Sequence, residues 1–143
     1  MTRVNAGIPV SQLPDKILLA EHREIKRLPN HLLKHGFSAS KIKEVPKVFK
    51  LGKGHVYFFL WKGAYTQGRY IELHLECLIR GFNVQDYLSN WEIYNKFPLM
   101  FNDYFPTNAA IKELKARFKE RGYKLLKPKK RLILDGRYTL KLK

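Results

Sequence analysis

Three stretches of this chain repeat apolar residues at helical spacing, and each runs into a glycine. The first extends from about Pro14 to His35 and meets Gly36. The second extends from Ala64 to Arg80 and meets Gly81. The third follows Thr107, runs to Arg121 and meets Gly122. Glycine suits the left-handed position just past a helix end, so these glycines predict three stops where the apolar spacing predicts three bodies. Ser11 or Asp15 is the candidate N-cap of the first helix and Thr107 that of the third, whose Ala110, Ile111, Leu114 and Phe118 recur on one face. Pro29 predicts a kink in the first helix, and Gly68 weakens the start of the second by about 1 kcal/mol against alanine.

At 143 residues the chain is too short for two ordinary domains. The expected fold is mainly α: a single compact three-helix domain over residues 1–143, with long loops of about 27 and 25 residues. Loops of that length exceed the usual prior and are expected either to be functional or to hold short helical turns. Val56 to Leu60, VYFFL, reads as a buried strand, and RLILDGRYTLKL, with Asp135-Gly136 between two alternating arms, reads as a hairpin. Strand content is therefore expected to be, at most, a small C-terminal element.

Charge narrows the partner. Lysines and arginines number 28 against 12 acids, a net charge of +16, on a chain that is 45% apolar. That much apolar surface can offset the entropy of ordering, so the composition argues for a folded cationic domain and against a disordered basic tail. Its partners are polyanions: nucleic acid, anionic lipid or an acidic protein. The longest apolar run, Val56 to Trp61, is six residues, against the roughly 20 that span a bilayer. The opening MTRVNAGIPV lacks the apolar centre of a signal peptide. A soluble, intracellular, cytoplasmic protein with no membrane partner is expected. The lone cysteine, Cys77, allows no internal disulfide and no cysteine-rich zinc site, and HLECLIR around it reads as a buried small hydrophobe. No metal site and no cofactor are expected.

The first helix is sorted in an unexpected way. At about 100° per residue, Ile25 and Leu28 fall within about 80° of Ile17, and Glu21 and Glu24 fall inside that same stripe, while His22, Arg23 and Lys26 occupy the opposite arc and Arg27 its edge. A carboxylate on an inner face must be paired or change its pKa. Either these acids pair with arginines from other segments and orient helices, or one of them is a catalytic carboxylate at the edge of a basic cleft. Glu24, with Arg23 and Arg27 beside it, is the better catalytic candidate. Thr2 is small enough for Met1 to be removed, leaving an α-amine with an ordinary pKa of about 7.7–8.0 that is substantially neutral near pH 7. Such an amine can attack a sugar C1′ and form an imine.

These residues resemble the phage endonuclease V-type pyrimidine-dimer DNA glycosylases with AP-lyase activity, a family distinct from the inosine-cleaving enzymes of the same name. Five ordered blocks carry the likeness over about residues 1–121: Met1-Thr2-Arg3-Val4-Asn5; Ala20-Glu21-His22-Arg23-Glu24; Gly54-His55-Val56-Tyr57-Phe58-Phe59; Ile71-Glu72-Leu73 through Glu76-Cys77-Leu78 to Arg80-Gly81-Phe82-Asn83; and Asn102-Asp103-Tyr104 with Pro106 and Ala116-Arg117. The resemblance implies a metal-free three-helix domain in which the Thr2 amine attacks C1′ of the 5′ nucleotide of a cyclobutane dimer. Glu24 then serves as the catalytic carboxylate for glycosyl cleavage and the proton transfers of β-elimination. It further implies a kinked duplex with an extruded base, a phosphate clamp of Arg3, Arg23, Lys26, Arg27, Arg117 and Arg121, and Tyr70 near the lesion, stacking or packing. A cationic pocket from Arg3, Arg23 and Arg27 would also lower the amine pKa. His55 is expected to be a structural hydrogen-bonding residue.

The chain departs from the family pattern twice. One extra residue lies between Asn5 and Ser11, beside Gly7 and Pro9. Beyond Gly122, in place of a Tyr-rich end, residues 122–143 form a divergent basic segment with Lys124, Lys127, Lys129, Lys130 and Arg131. The expected substrate is damaged double-stranded DNA, dimers first and abasic sites also open, met by a monomer in a bacterial or virus-infected cell. The alternative is a non-catalytic basic nucleic-acid-binding domain; a metal-dependent nuclease is a weaker third.

Overall fold

The computed structural model describes residues 4–37, 45, 53–128, 132–134 and 140–142. Among the described residues five α-helices carry the fold: α1 (Asp15–Glu24), α2 (Arg27–His35), α3 (Lys53–Leu60), α4 (Gly63–Ile79) and α5 (Asn108–Glu120). Short 3-10 segments occupy Val10–Gln12, Leu88–Lys96 and Pro98–Met100, and β1 (Leu132–Leu134) pairs antiparallel with β2 (Leu140–Leu142), Leu132 opposite Leu142. The mainly α expectation holds, and both long connections contain helical turns. The two strands agree with the expected hairpin; Asp135-Gly136 lies outside the described residues.

All three expected stops hold: Gly36, with φ 61°, caps α2 through its amide on Leu32 O, and Gly81 and Gly122 end α4 and α5. The Phe82 amide donates to Cys77 O and the Gly81 amide to Leu78 O, and Tyr123 and Gly122 repeat this on Phe118 and Lys119. Both glycines have positive φ, 82° and 76°, the conformation that lets the chain fold back over its last turn. Thr107 caps α5, its hydroxyl accepting from the Ala110 amide at 3.1 Å. The first helix differs from expectation at its start. Pro14 is the cap residue, Ser11 is buried in a 3-10 turn, and Asp15 begins α1 with its carboxylate on Arg80.

The expected first helix is also two helices, parted at Ile25-Lys26. Pro29 has no N–H for the Ile25 carbonyl four residues back, and the Leu28 amide takes that carbonyl instead at 3.2 Å. The break therefore precedes the proline, where its ring would meet the preceding turn.

The VYFFL stretch is helical, not a strand. It lies in α3, where His55, Phe58, Phe59 and Leu60 are buried. A short unbroken apolar run suits a buried helix as well as a strand, and a helix satisfies its own backbone groups without a partner.

Helix α4 sits against α1, α3, β1 and the 3-10 segments at Val10–Gln12 and Leu88–Lys96. Its buried Tyr70, Leu73 and Cys77 join Leu18, Ile25, Leu28, Phe59, Trp91 and Leu114 in the core. Cys77 is the buried hydrophobe expected, and burial raises its thiol pKa to about 11. Arg80 fastens the far end of α4, donating to Glu76 and Asp15 and to the carbonyls of Val10 and Ser11. Among the described residues no helix is long and apolar enough to cross a membrane.

Candidate functional site

The N-terminal arm is stitched into the core before α1 begins. Val4, Ala6 and Ile8 are fully buried, and polar partners hold the backbone between them. The Val4 amide donates to His55 Nε2 at 2.8 Å, which leaves the imidazole proton on Nδ1. His55 therefore has the structural role expected of it. The Gly7 amide donates to the Tyr65 hydroxyl, and the Ile8 amide turns back onto Asn5 O. Gly7 has φ +82°, and a Cβ there would lie 2.5 Å from Ile111 Cγ1, so both conformation and space demand glycine. This turn accommodates the arm while Asn5 points inward.

The two acids of α1 have different fates. Glu21 is buried and fully engaged: Oε2 accepts from Arg69 Nε at 2.8 Å, and Oε1 accepts from Arg69 Nη2 at 3.1 Å and from Asn5 Nδ2 at 2.7 Å. Arg69 also donates to Ile8 O. Burial alone would pull the Arg69 guanidinium down, yet the Glu21 carboxylate outweighs it and the pKa is raised. Glu21 thus follows the pairing alternative. Glu24, one turn on, keeps a side chain that is 20% exposed, with Arg27 Nη1 at 3.2 Å and Arg23 Nη2 at 4.0 Å. Its partners are surface side chains, 53% and 61% exposed, that water and phosphate can displace.

Glu24 opens onto a cleft of about 270 Å3 between α1 and α5. Asn5 and Glu21 contribute polar groups, Ile17, Ala20, Leu114 and Phe118 contribute apolar ones, and Arg117, Arg121 and Tyr123 complete the lining. Arg117 and Arg121 are four residues apart on α5 and its C-cap, so both project to one side. Leu114 and Phe118 on the same helix anchor it in the core. The outcome is an anionic group beside two exposed cations over a partly apolar floor, which suits a phosphodiester with an attached sugar and base.

The structure thus brings Glu24, Arg117 and Arg121 together, with Arg23 and Arg27 flanking Glu24. Thr2 and Arg3 lie outside the described residues, three and two positions before Asn5. Lys26 does not line the cleft; its Nζ stands 3.7 Å above the Tyr87 ring. Tyr70, expected near the lesion, is 1% exposed. Its hydroxyl donates to Asp86 and accepts from the Tyr87 amide, and its ring packs on Trp91 and His74. Of the two roles open to Tyr70, packing is the one this geometry supports.

His22 was expected outside and is buried. Rings of His74, Tyr70 and Tyr87 surround it at 5.2–5.4 Å, because α4 and the segment after it cover that side of α1. Burial, with His74 nearby, lowers its pKa to about 4. Leu18, not Ile17, is the fully buried residue of the first turns.

His31 and His35 stand four apart on α2 with rings 5.0 Å apart, a spacing the expectation of no metal site passes over. Among the described residues no group of three His, Cys, Asp or Glu side chains could hold a metal ion.

Arg69 and Tyr123 are the residues the sequence reading missed. Arg69 lies three after Thr66 and four before Leu73 on the buried face of α4, and an arginine in such a stripe calls for a carboxylate. Tyr123 directly follows the Gly122 stop, where a contact with Phe118 commonly accompanies the turn; their rings are 6.3 Å apart. A family model described as pyrimidine dimer DNA glycosylase matches residues 1–90, a span that holds Asn5, Glu21, Glu24 and Arg69 and stops short of Arg117, Arg121 and Tyr123.

Proposed function

The chain belongs to the pyrimidine dimer DNA glycosylase family, and we propose that it is a metal-independent DNA repair glycosylase and AP lyase working through an imine at the Thr2 α-amine. In this reading the neutral amine attacks C1′ of the 5′ nucleotide of the dimer. The C1′–N bond breaks with its electron pair leaving on the pyrimidine, and loss of the amine proton and opening of the sugar ring give the protonated imine. Glu24 assists that departure and then removes a C2′ proton, so that the C3′–O3′ bond breaks and the 3′ phosphate departs. Arg3, Arg23, Arg27, Arg117 and Arg121 hold phosphates around the reacting sugar.

The observation that carries this reading is the cleft itself. Glu24 opens onto the space that Asn5 enters from the arm leading back to Thr2 and that Arg117 and Arg121 border. Three residue steps span at most about 10–11 Å, a reach that allows an amine attached through Asn5 to enter the cleft. Proximity of this kind is a large source of rate.

Borohydride trapping on dimer-containing and abasic duplexes, with chelator present, tests the proposal. A covalent protein–DNA adduct mapping to Thr2 is expected on both. Absence of adduct on both substrates removes the imine, adduct on abasic DNA alone removes the dimer as substrate, and loss of activity in chelator removes metal independence. The non-catalytic alternative predicts DNA binding that is indifferent to blocking the terminal amine.

A further inference from the structure

Asn5 is one of the few polar groups buried in the arm, at 4% exposure, and it lines the Glu24 cleft. Its amide donates at 2.7 Å to a carboxylate that is itself immobilised. Glu21 is gripped by the Arg69 fork on both oxygens, and the same guanidinium holds Ile8 O, three residues beyond Asn5. An ionised carboxylate only accepts, so the amide nitrogen is the atom facing Glu21. Asn5 is thereby fixed at its side chain by Glu21, and its chain is fixed on either side, by His55 at Val4 and by Arg69 at Ile8.

From this geometry we infer that Asn5 is a positioning residue for the terminal amine, with the buried Glu21–Arg69 pair as its fixed base. The inference rests on the imine reading above. Glu21 and Glu24 stand on consecutive turns of α1. One acid therefore anchors the arm and the other faces the sugar, and a rigid helical turn sets the distance between anchor and reaction. Without the Asn5 amide the arm keeps its backbone latch from Val4 to His55 but loses the side-chain anchor on Glu21, three residues from Thr2. Misplacement by about 1 Å costs on the order of 100-fold in rate when reacting atoms must be aligned.

The test is single-turnover trapping of the full chain at saturating abasic DNA, read as a rate constant and an amplitude, with DNA affinity measured beside it. Asn5→Ala is expected to lower the rate constant by about 10- to 100-fold at full amplitude, with affinity for undamaged duplex unchanged. A residue that only supports folding would lower the amplitude and leave the rate constant of the folded fraction intact, and that result overturns the inference. An unchanged rate constant at full amplitude does so too. Asn5→Asp, nearly the same shape and unable to donate while ionised, should match the alanine variant; wild-type kinetics in Asn5→Asp count against the hydrogen bond. Failure of the unsubstituted chain to form adduct is a separate outcome, which removes the imine reading itself.

Discussion

Arg69 meets Glu21 across 48 residues of sequence with two parallel hydrogen bonds, Nε to Oε2 at 2.8 Å and Nη2 to Oε1 at 3.1 Å, both side chains at most 5% exposed. This pair holds one acid of α1 in the core and leaves the other to the cleft. Glu21 has no free oxygen to offer a substrate, whereas Glu24 faces a cleft and is neighboured by exposed arginines. Helix α1 thereby presents two carboxylates on consecutive turns in different surroundings, one buried and paired and the other at a cleft.

The Glu24→Gln variant should lose glycosylase and trapping activity by about 10²- to 10⁴-fold, the range for removing a positioned acid–base group. DNA affinity should change by no more than a few-fold, since the side chain's shape is kept and the arginines remain. Steady-state cleavage beside equilibrium binding checks this, and full activity in the variant takes Glu24 out of the mechanism.

Breaking the buried pair from one side is expected to be costly. Arg69→Met leaves the Glu21 charge buried with Asn5 as its remaining partner among the described residues and should destabilise the chain by about 3–5 kcal/mol. Replacing both residues by methionine should recover much of this, because two apolar groups of similar size leave no orphaned charge. Urea titration of the single and double variants measures both, and a single-variant loss below about 1 kcal/mol would mean that the pair behaves like a surface ion pair.

Acid should weaken the fold through His22. Its pKa falls from 6.5 to about 4 on burial beside His74, with Lys26 also lowering it and Asp86 opposing. Below pH 6.5 the unfolded chain takes up a proton that the folded chain resists. The contribution of neutral His22 is therefore complete above 6.5 and disappears as pH falls to about 4, an effect of about 3 kcal/mol. Chemical denaturation at several pH values should show the slope, and His22→Leu should flatten it; an unaltered slope assigns the dependence to other groups.

Salt should oppose binding in proportion to the phosphates neutralised, with the logarithm of affinity falling linearly against the logarithm of salt concentration. Arg117→Ala and Arg121→Ala should each weaken binding regardless of sequence and reduce the slope by about 1. A slope unmoved by either change places the phosphate contacts elsewhere on the surface.

Much of the site was legible before any coordinates. The Glu24 neighbourhood, the capping of α5 by Thr107, the stops at Gly81 and Gly122 and the structural role of His55 all follow from local chemistry or from the matched blocks. The Lys26 and Tyr70 placements were not legible as a shared face. Helical angle puts Lys26 outward but does not reveal the Tyr87 ring that receives it, and nothing local to Tyr70 shows that Asp86 and Trp91 enclose it.

Local pattern alone determined the helical character of the chain, the glycine ends of α4 and α5, the strongly cationic surface and the presence of two acids on the inner face of α1. Those are properties of neighbours in sequence: spacing, left-handed turn residues and net charge. Tertiary packing decided that VYFFL is a helix, that His22 is buried, and that Glu21 is bound by Arg69 and Asn5 while Glu24 faces a cleft. Each of these depends on which distant segment covers a given side of a helix, and an electrostatic partner 48 residues away leaves no periodic trace beside the residue it holds.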